Sequence, residues 1–244
     1  MRIIEAHDYE HMSELAAKYL IDKIHTNPSM VLGLATGGTP KGTYKHLIQD
    51  HQQNHTTYKK ITTYNLDEYV GFSADNPNSY HAFMYEKLFG KIDIPSANIH
   101  LPNGTALDLS DECKTYEESI KESGGIDVQL LGMGSNGHIG FNEPGTSFEA
   151  TTQIVQLAQS TREANARFFH DINEVPHEAI TMGIATIMKS KEILLLIAGK
   201  AKNEAMRKLV EGEVDESFPA SVLNNHSHVT IIADKKALSG VKVR

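Results

Sequence analysis

An α/β fold, with a mostly parallel Rossmann-like sheet and helices on both faces, follows from three features of the sequence. Residues 29–35 (SMVLGLA), 126–131 (IDVQLL) and 192–198 (EILLLIA) are short apolar runs with little alternation, the signature of strands buried on both faces. Segments with helical periodicity separate them, which is the pattern of βα units. The loops richest in glycine and short polar residues, ATGGTP, DEYVG, GMGSNGHIGFNEPG and GKAK, directly follow apolar runs. Ligands of open α/β sheets bind beyond the carboxyl ends of strands, so function is expected in those loops.

The elements follow in order. Residues 8–24 read as an amphipathic helix with Leu15, Tyr19 and Leu20 near one face, and 29–35 as a strand. GGTPKG turns the chain, with Thr39 as cap and Pro40 as first helical residue, and the helix runs to about Asp50. Residues 61–66 form a strand closed by Asp67; 78–89 are helical, 98–101 a short strand, 111–122 helical and 126–131 a strand. A strand is expected over 152–157 and a helix over 162–169. Pro176 opens a helical segment through Met188, 192–198 is a strand, 202–210 a helix, and 229–233 the last strand before a short tail.

A chain of 244 residues can bury roughly 70% of the surface its unfolded form exposes, and no repeat or low-complexity linker divides it, so a single domain over 1–244 is expected. The formal charge of −8 opposes a broad nucleic-acid or anionic-membrane surface, while leaving room for one small anionic ligand held by local donors. The lone cysteine, Cys113, forms no internal disulfide, which suits a reducing, cytoplasmic setting. The first twenty residues are too broken by charge for a secretory leader, and no apolar run has the length of a membrane span.

The loops carry the chemistry. Gly37 and Gly38 let backbone N–H groups turn inward, Thr36 and Thr39 add hydroxyls, and the following helix contributes its positive end, together an anion cradle without the spacing of a nucleotide P-loop. The string Gly132-Met133-Gly134-Ser135-Asn136-Gly137 has GxGxxG spacing, yet His138, Glu143 and Pro144 stand where a dinucleotide unit needs a helix. Asp67 reads either as a turn cap or as a base, and an adjacent carboxylate, Glu68, would raise its pKa if both faced one pocket. Side chains alternate on an extended segment, so Glu68 instead supports the loop if it points away. His138 is either a packed ring or a proton-transfer group brought close to substrate by its flanking glycines. Glu143 can orient it or cap near Pro144. Arg167 and Lys202 are candidate countercharges, or solvated helix residues. The 13 histidines are scattered, and His226 with His228 lacks carboxylates at metal-ligand spacing.

Five blocks, LGLATGGTPKGTY (32–44), NLDEYVG (65–71), NSYHAFM (78–84), LLGMGSNGHIGFNEPGTSF (130–148) and TREANARFF (161–169), with AITMGIATI (179–187), resemble the glucosamine-6-phosphate deaminases. The resemblance spreads over nearly the whole chain. It implies conversion of glucosamine 6-phosphate and water to fructose 6-phosphate and ammonia, with no metal or organic cofactor. It also implies that Asp67 handles the sugar carbon proton, that His138 opens the pyranose ring and that Glu143 assists it. Phosphate-binding positions fall on Thr36, Gly37, Gly38, Thr39, Arg167 and Lys202. Many members carry aspartate where this chain has Asn136; an amide can still orient the imidazole but carries no charge. In allosteric hexameric members, basic residues after the NEP motif bind an activator, where this chain has Gln153 and Val155. Weak or absent activation is therefore implied, and a monomer or small homo-oligomer in place of a hexamer. A sugar-phosphate lactonase and a non-catalytic sugar-phosphate sensor are the alternatives.

Overall fold

The computed structural model describes residues 1–166 and 169–242. Among them, β1 (Arg2–Ala6), β2 (Val31–Leu34), β3 (Thr62–Asn65), β5 (Ile99–His100), β6 (Val128–Gly132), β9 (Glu192–Ile197) and β10 (Val229–Asp234) form a parallel sheet in the order β1-β10-β9-β6-β2-β3-β5. A smaller antiparallel sheet takes β4 (Asp67–Tyr69), β8 (Glu178–Thr181) and β7 (Gln153–Gln156), with β8 in the middle.

Both faces of the large sheet are dry. Along β9, Ile193, Leu195 and Ile197 join one apolar cluster while Leu194 and Leu196 join another, because successive side chains leave a strand on opposite faces. On one side lie α1 (Tyr9–Thr26), α2 (Lys41–Asn54) and α3 (Tyr80–Lys87), which contribute Leu20, Leu47 and Met84. On the other lie α4 (Leu109–Glu122), α6 (Ile184–Met188), α7 (Asn203–Glu211) and α8 (Lys235–Leu238), which contribute Ile120, Ile187, Leu209 and Leu238. Each fully buried aliphatic side chain of this kind stabilises the fold by about 1.5–3 kcal/mol. The remaining helix, α5 (Gln159–Asn165), follows β7.

Strand order decides where a ligand can enter. From β2 the chain proceeds through α2 to β3 and then β5 at one edge, whereas β9 and β10 lie on the far side of β6. The loops leaving β2 and β6 therefore diverge, opening a crevice at a topological switch point.

Several expectations need correction. Residues 176–188 are not one helix: 178–181 form β8, and only Ile184–Met188 is helical. A four-residue segment does not by itself separate strand from helix, and here pairing with β4 and β7 decides. Asp67 does not close β3; it opens β4 in the second sheet. Thr39 is not the cap of α2, since Pro40 occupies that position and no side chain bonds the first turn there. The first strand escapes the sequence pattern because Arg2 and Glu5 interrupt the apolar residues of an edge strand. The tail carries α8, capped by the Asp234 carboxylate.

The turn between β8 and α6 leaves no room for a side chain. A Cβ at Gly183 would lie 2.1 Å from the Thr151 carbonyl oxygen and 2.2 Å from that of Ala150, backbone atoms that cannot swing away. Gly183→Ala is expected to cost about 1–3 kcal/mol and to lower the urea midpoint of unfolding by the matching amount; an unchanged midpoint would contradict this packing.

Candidate active site

The crevice encloses a cavity of about 430 Å³, within the range of small-molecule sites. Residues from four strand ends line it: Thr36–Thr39 after β2, Asp67 at the start of β4, Gly134–Asn136 and His138 after β6, and Lys202 after β9. Asp67, Asn136, His138, Thr36, Gly37, Gly38, Thr39 and Lys202, all singled out from the sequence, thus share one cavity. Glu143 stands behind Asn136 and not on the wall. Arg167 lies outside the described residues. A cavity of similar volume, about 460 Å³, opens between the end of α4 and the turn before β9, lined by Ile120, Ile126, Lys189 and Ser190 among others. It does not lie at the carboxyl ends of the strands, so chemistry and not size distinguishes the two.

The loop after β2 is fixed by a tyrosine. The Tyr9 hydroxyl of α1 donates to the Gly38 carbonyl oxygen at 2.9 Å and accepts from the Gly42 N–H at 2.9 Å. Gly37 has φ of +91°, open to glycine at no steric cost. Because α2 begins without a side-chain cap, its positive end is directed at this loop, an arrangement that favours an anion. Lys202 ends the turn after β9. Gly199 there takes φ of +93° and donates its N–H to the Asp234 carboxylate.

Asp67 and Glu68 leave β4 in opposite directions. Glu68, buried, accepts the N–H groups of Tyr69, Tyr80 and His81, each at 2.9 Å, and so satisfies the first turn of α3 and places Tyr80 on the cavity wall. Burial raises its pKa, and the three N–H groups oppose that rise. Asp67, only 7% exposed, faces the cavity. Loss of water, with a smaller contribution from Glu68, pushes its carboxyl up to about 8.

The glycine-rich loop answers a spatial need. A Cβ at Gly134 would sit 2.3 Å from His138 Nδ1, so the imidazole folds back over glycine backbone. Phe141 N–H donates to Thr181 Oγ1 at 3.0 Å, and the Asn142 amide donates to the carbonyls of Ile139 and Met182. The unforeseen β8 therefore holds both this loop and, through the Asp67–Thr181 pairing, the carboxylate opposite.

His138 joins a chain of side chains. Its Nδ1 lies 2.8 Å from Asn136 Oδ1, and Asn136 Nδ2 donates to Glu143 Oε2 at 2.7 Å. An amide oxygen only accepts, so Nδ1 carries the proton and Nε2 the lone pair. Glu143 Oε2 is 3.7 Å from the ring; its orienting effect passes through Asn136. Burial lowers the pKa of His138, Lys202 lowers it further, and Glu143 opposes both. Glu143 also accepts from the Thr161 hydroxyl. Thr161, Asn165 and Tyr80 line the cavity as well, yet spacing did not single them out; the only signal was their membership of the NSYHAFM and TREANARFF blocks. Gln153 and Val155 lie on β7. Among the described residues, no three or more His, Cys, Asp or Glu side chains are grouped to hold a metal ion, and no helix is long and apolar enough to cross a membrane.

A raised pKa in a buried group affects stability. Asp67 moves from the ordinary 3.8 to about 8 in the folded chain, so its stabilising contribution is complete below about 3.8 and is lost as pH rises through about 8. Asp67→Asn removes that loss. Its stability relative to the parent is expected to climb between these limits by on the order of a few kcal/mol and then to level off. Urea midpoints from pH 5 to 9 check this, and parallel curves for the two proteins would refute it.

The sequence matches the family described as glucosamine-6-phosphate isomerases/6-phosphogluconolactonase over residues 6–232. It is 58% identical over 243 residues to a glucosamine-6-phosphate deaminase of Halalkalibacterium halodurans, covering 100% of this chain and 99% of that one. Identity to glucosamine-6-phosphate deaminase 1 of Bacillus subtilis is 53% over 239 residues, covering 98% and 99%. A solved structure of a monomeric glucosamine-6-phosphate deaminase superposes with a TM-score of 0.96 at 53% identity, covering 98% of this chain and 99% of that one. The 6-phosphogluconolactonase of Trypanosoma cruzi superposes at 0.81 with 20% identity, covering 99% and 97%, a likeness of fold alone. The chain belongs to the glucosamine-6-phosphate isomerase/6-phosphogluconolactonase family.

Proposed function

We infer that this protein converts glucosamine 6-phosphate and water to fructose 6-phosphate and ammonia, acting as a hydrolase. The observation that carries the reading is a buried carboxyl, Asp67, sharing one cavity with His138, Lys202 and the Thr36–Thr39 loop, in a chain at least half identical to several deaminases.

The substrate's phosphate sits against the loop amides, Thr36, Thr39, the end of α2 and Lys202, with Arg167 as a further partner. Strong contacts at this end position the reacting end of the sugar. His138, neutral with Nε2 unprotonated, moves a proton between the ring oxygen and the anomeric hydroxyl, and Asn136 and Glu143 hold its tautomer. The free aldehyde acidifies the C2 proton. Asp67, as carboxylate, removes it and leaves an enolamine; return of the proton to C1 gives an imine that water hydrolyses. General acid–base catalysis of this kind needs no nucleophilic cysteine.

Asp67 serves as a base only when ionised. A protonated amino group on C2 of the substrate, set beside it, favours the carboxylate. Substrate binding therefore brings a positive charge close to Asp67. The whole of 1–244 acts as one such domain, as a monomer or small homo-oligomer in the cytoplasm, with weak or absent activation through Gln153 or Val155.

Coupled measurement of ammonia and fructose 6-phosphate from purified protein tests the reading: equal amounts are expected, whereas a lactonase releases no ammonia and a sensor binds without turnover. Asp67→Asn is expected to lower kcat by about 10²–10⁴ with phosphate-dependent binding retained, and Lys202→Ala to raise KM by about 10-fold or more. kcat/KM, which reports the free enzyme, falls as pH drops through about 8, and the matching limb of kcat lies at lower pH. Unchanged turnover in Asp67→Asn would remove its assigned role.

A further inference from the structure

The cavity wall includes α5, whose Thr161 and Asn165 stand four residues apart and both line the cavity. Residues at this spacing share one face of a helix. The two make different contacts. Asn165 Nδ2 donates to the Tyr69 hydroxyl at 3.1 Å, and Tyr80 donates to that same oxygen at 3.2 Å. Thr161, 7% exposed, donates its hydroxyl to Glu143 Oε1, while Oε2 of that carboxylate receives the Asn136 amide.

We propose that Thr161 is a positioning residue for the reaction: its hydroxyl clamps Glu143 so that Asn136 presents an acceptor to His138 Nδ1 and leaves Nε2 free of a proton. The inference rests on the deaminase reading for its effect on turnover, but not for its effect on the imidazole.

The geometry distinguishes this role from simple packing. A carboxylate has two oxygens and rotates about its last bond unless both are engaged. Asn136 engages one, and the Thr161 hydroxyl engages the other. If Glu143 turns, the Asn136 amide loses its acceptor, and only the His138 backbone N–H, 3.2 Å from Oδ1, still opposes a flip that puts its N–H₂ toward the ring. Nδ1 would then have to accept, and the imidazole proton would move to Nε2, the wrong nitrogen for taking a proton from the sugar. Retention of α5 in place does not depend on the Thr161 hydroxyl. The buried Arg162 guanidinium donates to the carbonyls of Val175 and Ile172 at 3.0 and 3.1 Å, and Asn165 fixes the last turn. Thr161 is thus spared a structural duty that its neighbours already perform.

The test reads the imidazole directly. Nitrogen-15 spectra of His138 in the free protein are expected to show a single Nδ1–H tautomer, and a mixture or the Nε2–H form in Thr161→Val. With glucosamine 6-phosphate, kcat of that variant is expected to fall by about 10- to 100-fold, within what general acid–base groups contribute, with KM changed by less than about threefold. Thr161→Ser, which keeps the hydroxyl, should restore both readouts, and Thr161→Ala, without the added methyl group, should repeat the valine result in a protein of unaltered melting behaviour. An unchanged tautomer in both the valine and alanine variants overturns the proposal, whatever happens to the rate. So does an altered tautomer with undiminished turnover, or a serine variant no better than valine. Absence of ammonia release by the parent protein would instead overturn the deaminase reading and leave the tautomer result standing.

Discussion

The constraint on which the rest depends is the burial of two consecutive carboxylates where the small sheet meets the large one. Asp67 and Glu68 occupy one three-residue strand, are 7% and 3% exposed, and point opposite ways. Two charges taken from water so close together are costly unless each is compensated or neutralised. Glu68 is compensated by three backbone N–H groups of β4 and α3. Asp67 is not given the same treatment and holds its proton instead, up to about 8. Neighbours in sequence thus yield one carboxylate held by backbone donors and one whose pKa is raised.

The imidazole side of the cavity follows the opposite course to a similar end. Burial and Lys202 drive the His138 pKa downward, so near neutral pH the cavity combines a carboxylic acid with a neutral ring. Cationic character is concentrated elsewhere, at Lys202 and the uncapped end of α2. Such a layout favours an anion at one end and leaves titratable groups of low charge at the other, and on the deaminase reading proposed above this separation lets distant binding orient a reacting centre. Environments that shift titratable groups away from their ordinary values are how one fold runs acid and base steps near neutrality.

Much of this was legible in the sequence because loops after buried strands are confined to one edge of a parallel sheet. The runs at 29–35, 126–131 and 192–198 fixed the frame, and the loops that followed them do line one cavity. What escaped was the second sheet as a unit: the strand expected over 152–157 is β7, but β4 and β8 were not foreseen. Its strands are short and antiparallel, and β8, read as part of a helix, is held by long-range pairing that no local pattern reveals. The same non-locality hid the path from His138 through Asn136 to Glu143 and on to Thr161: spacing suggested a direct contact between ring and carboxylate, whereas an amide stands between them. Asn136, which looked like a departure from the family pattern, is the group that sets the tautomer.

Burial holds Asp67 protonated in the folded protein up to about 8, and its carboxyl carbon reports that state. Carbon-13 titration of selectively labelled aspartate in the free protein, with the Asp67 signal assigned by its absence in Asp67→Asn, is predicted to give a midpoint close to 8. A midpoint near the ordinary 3.8 would contradict the account.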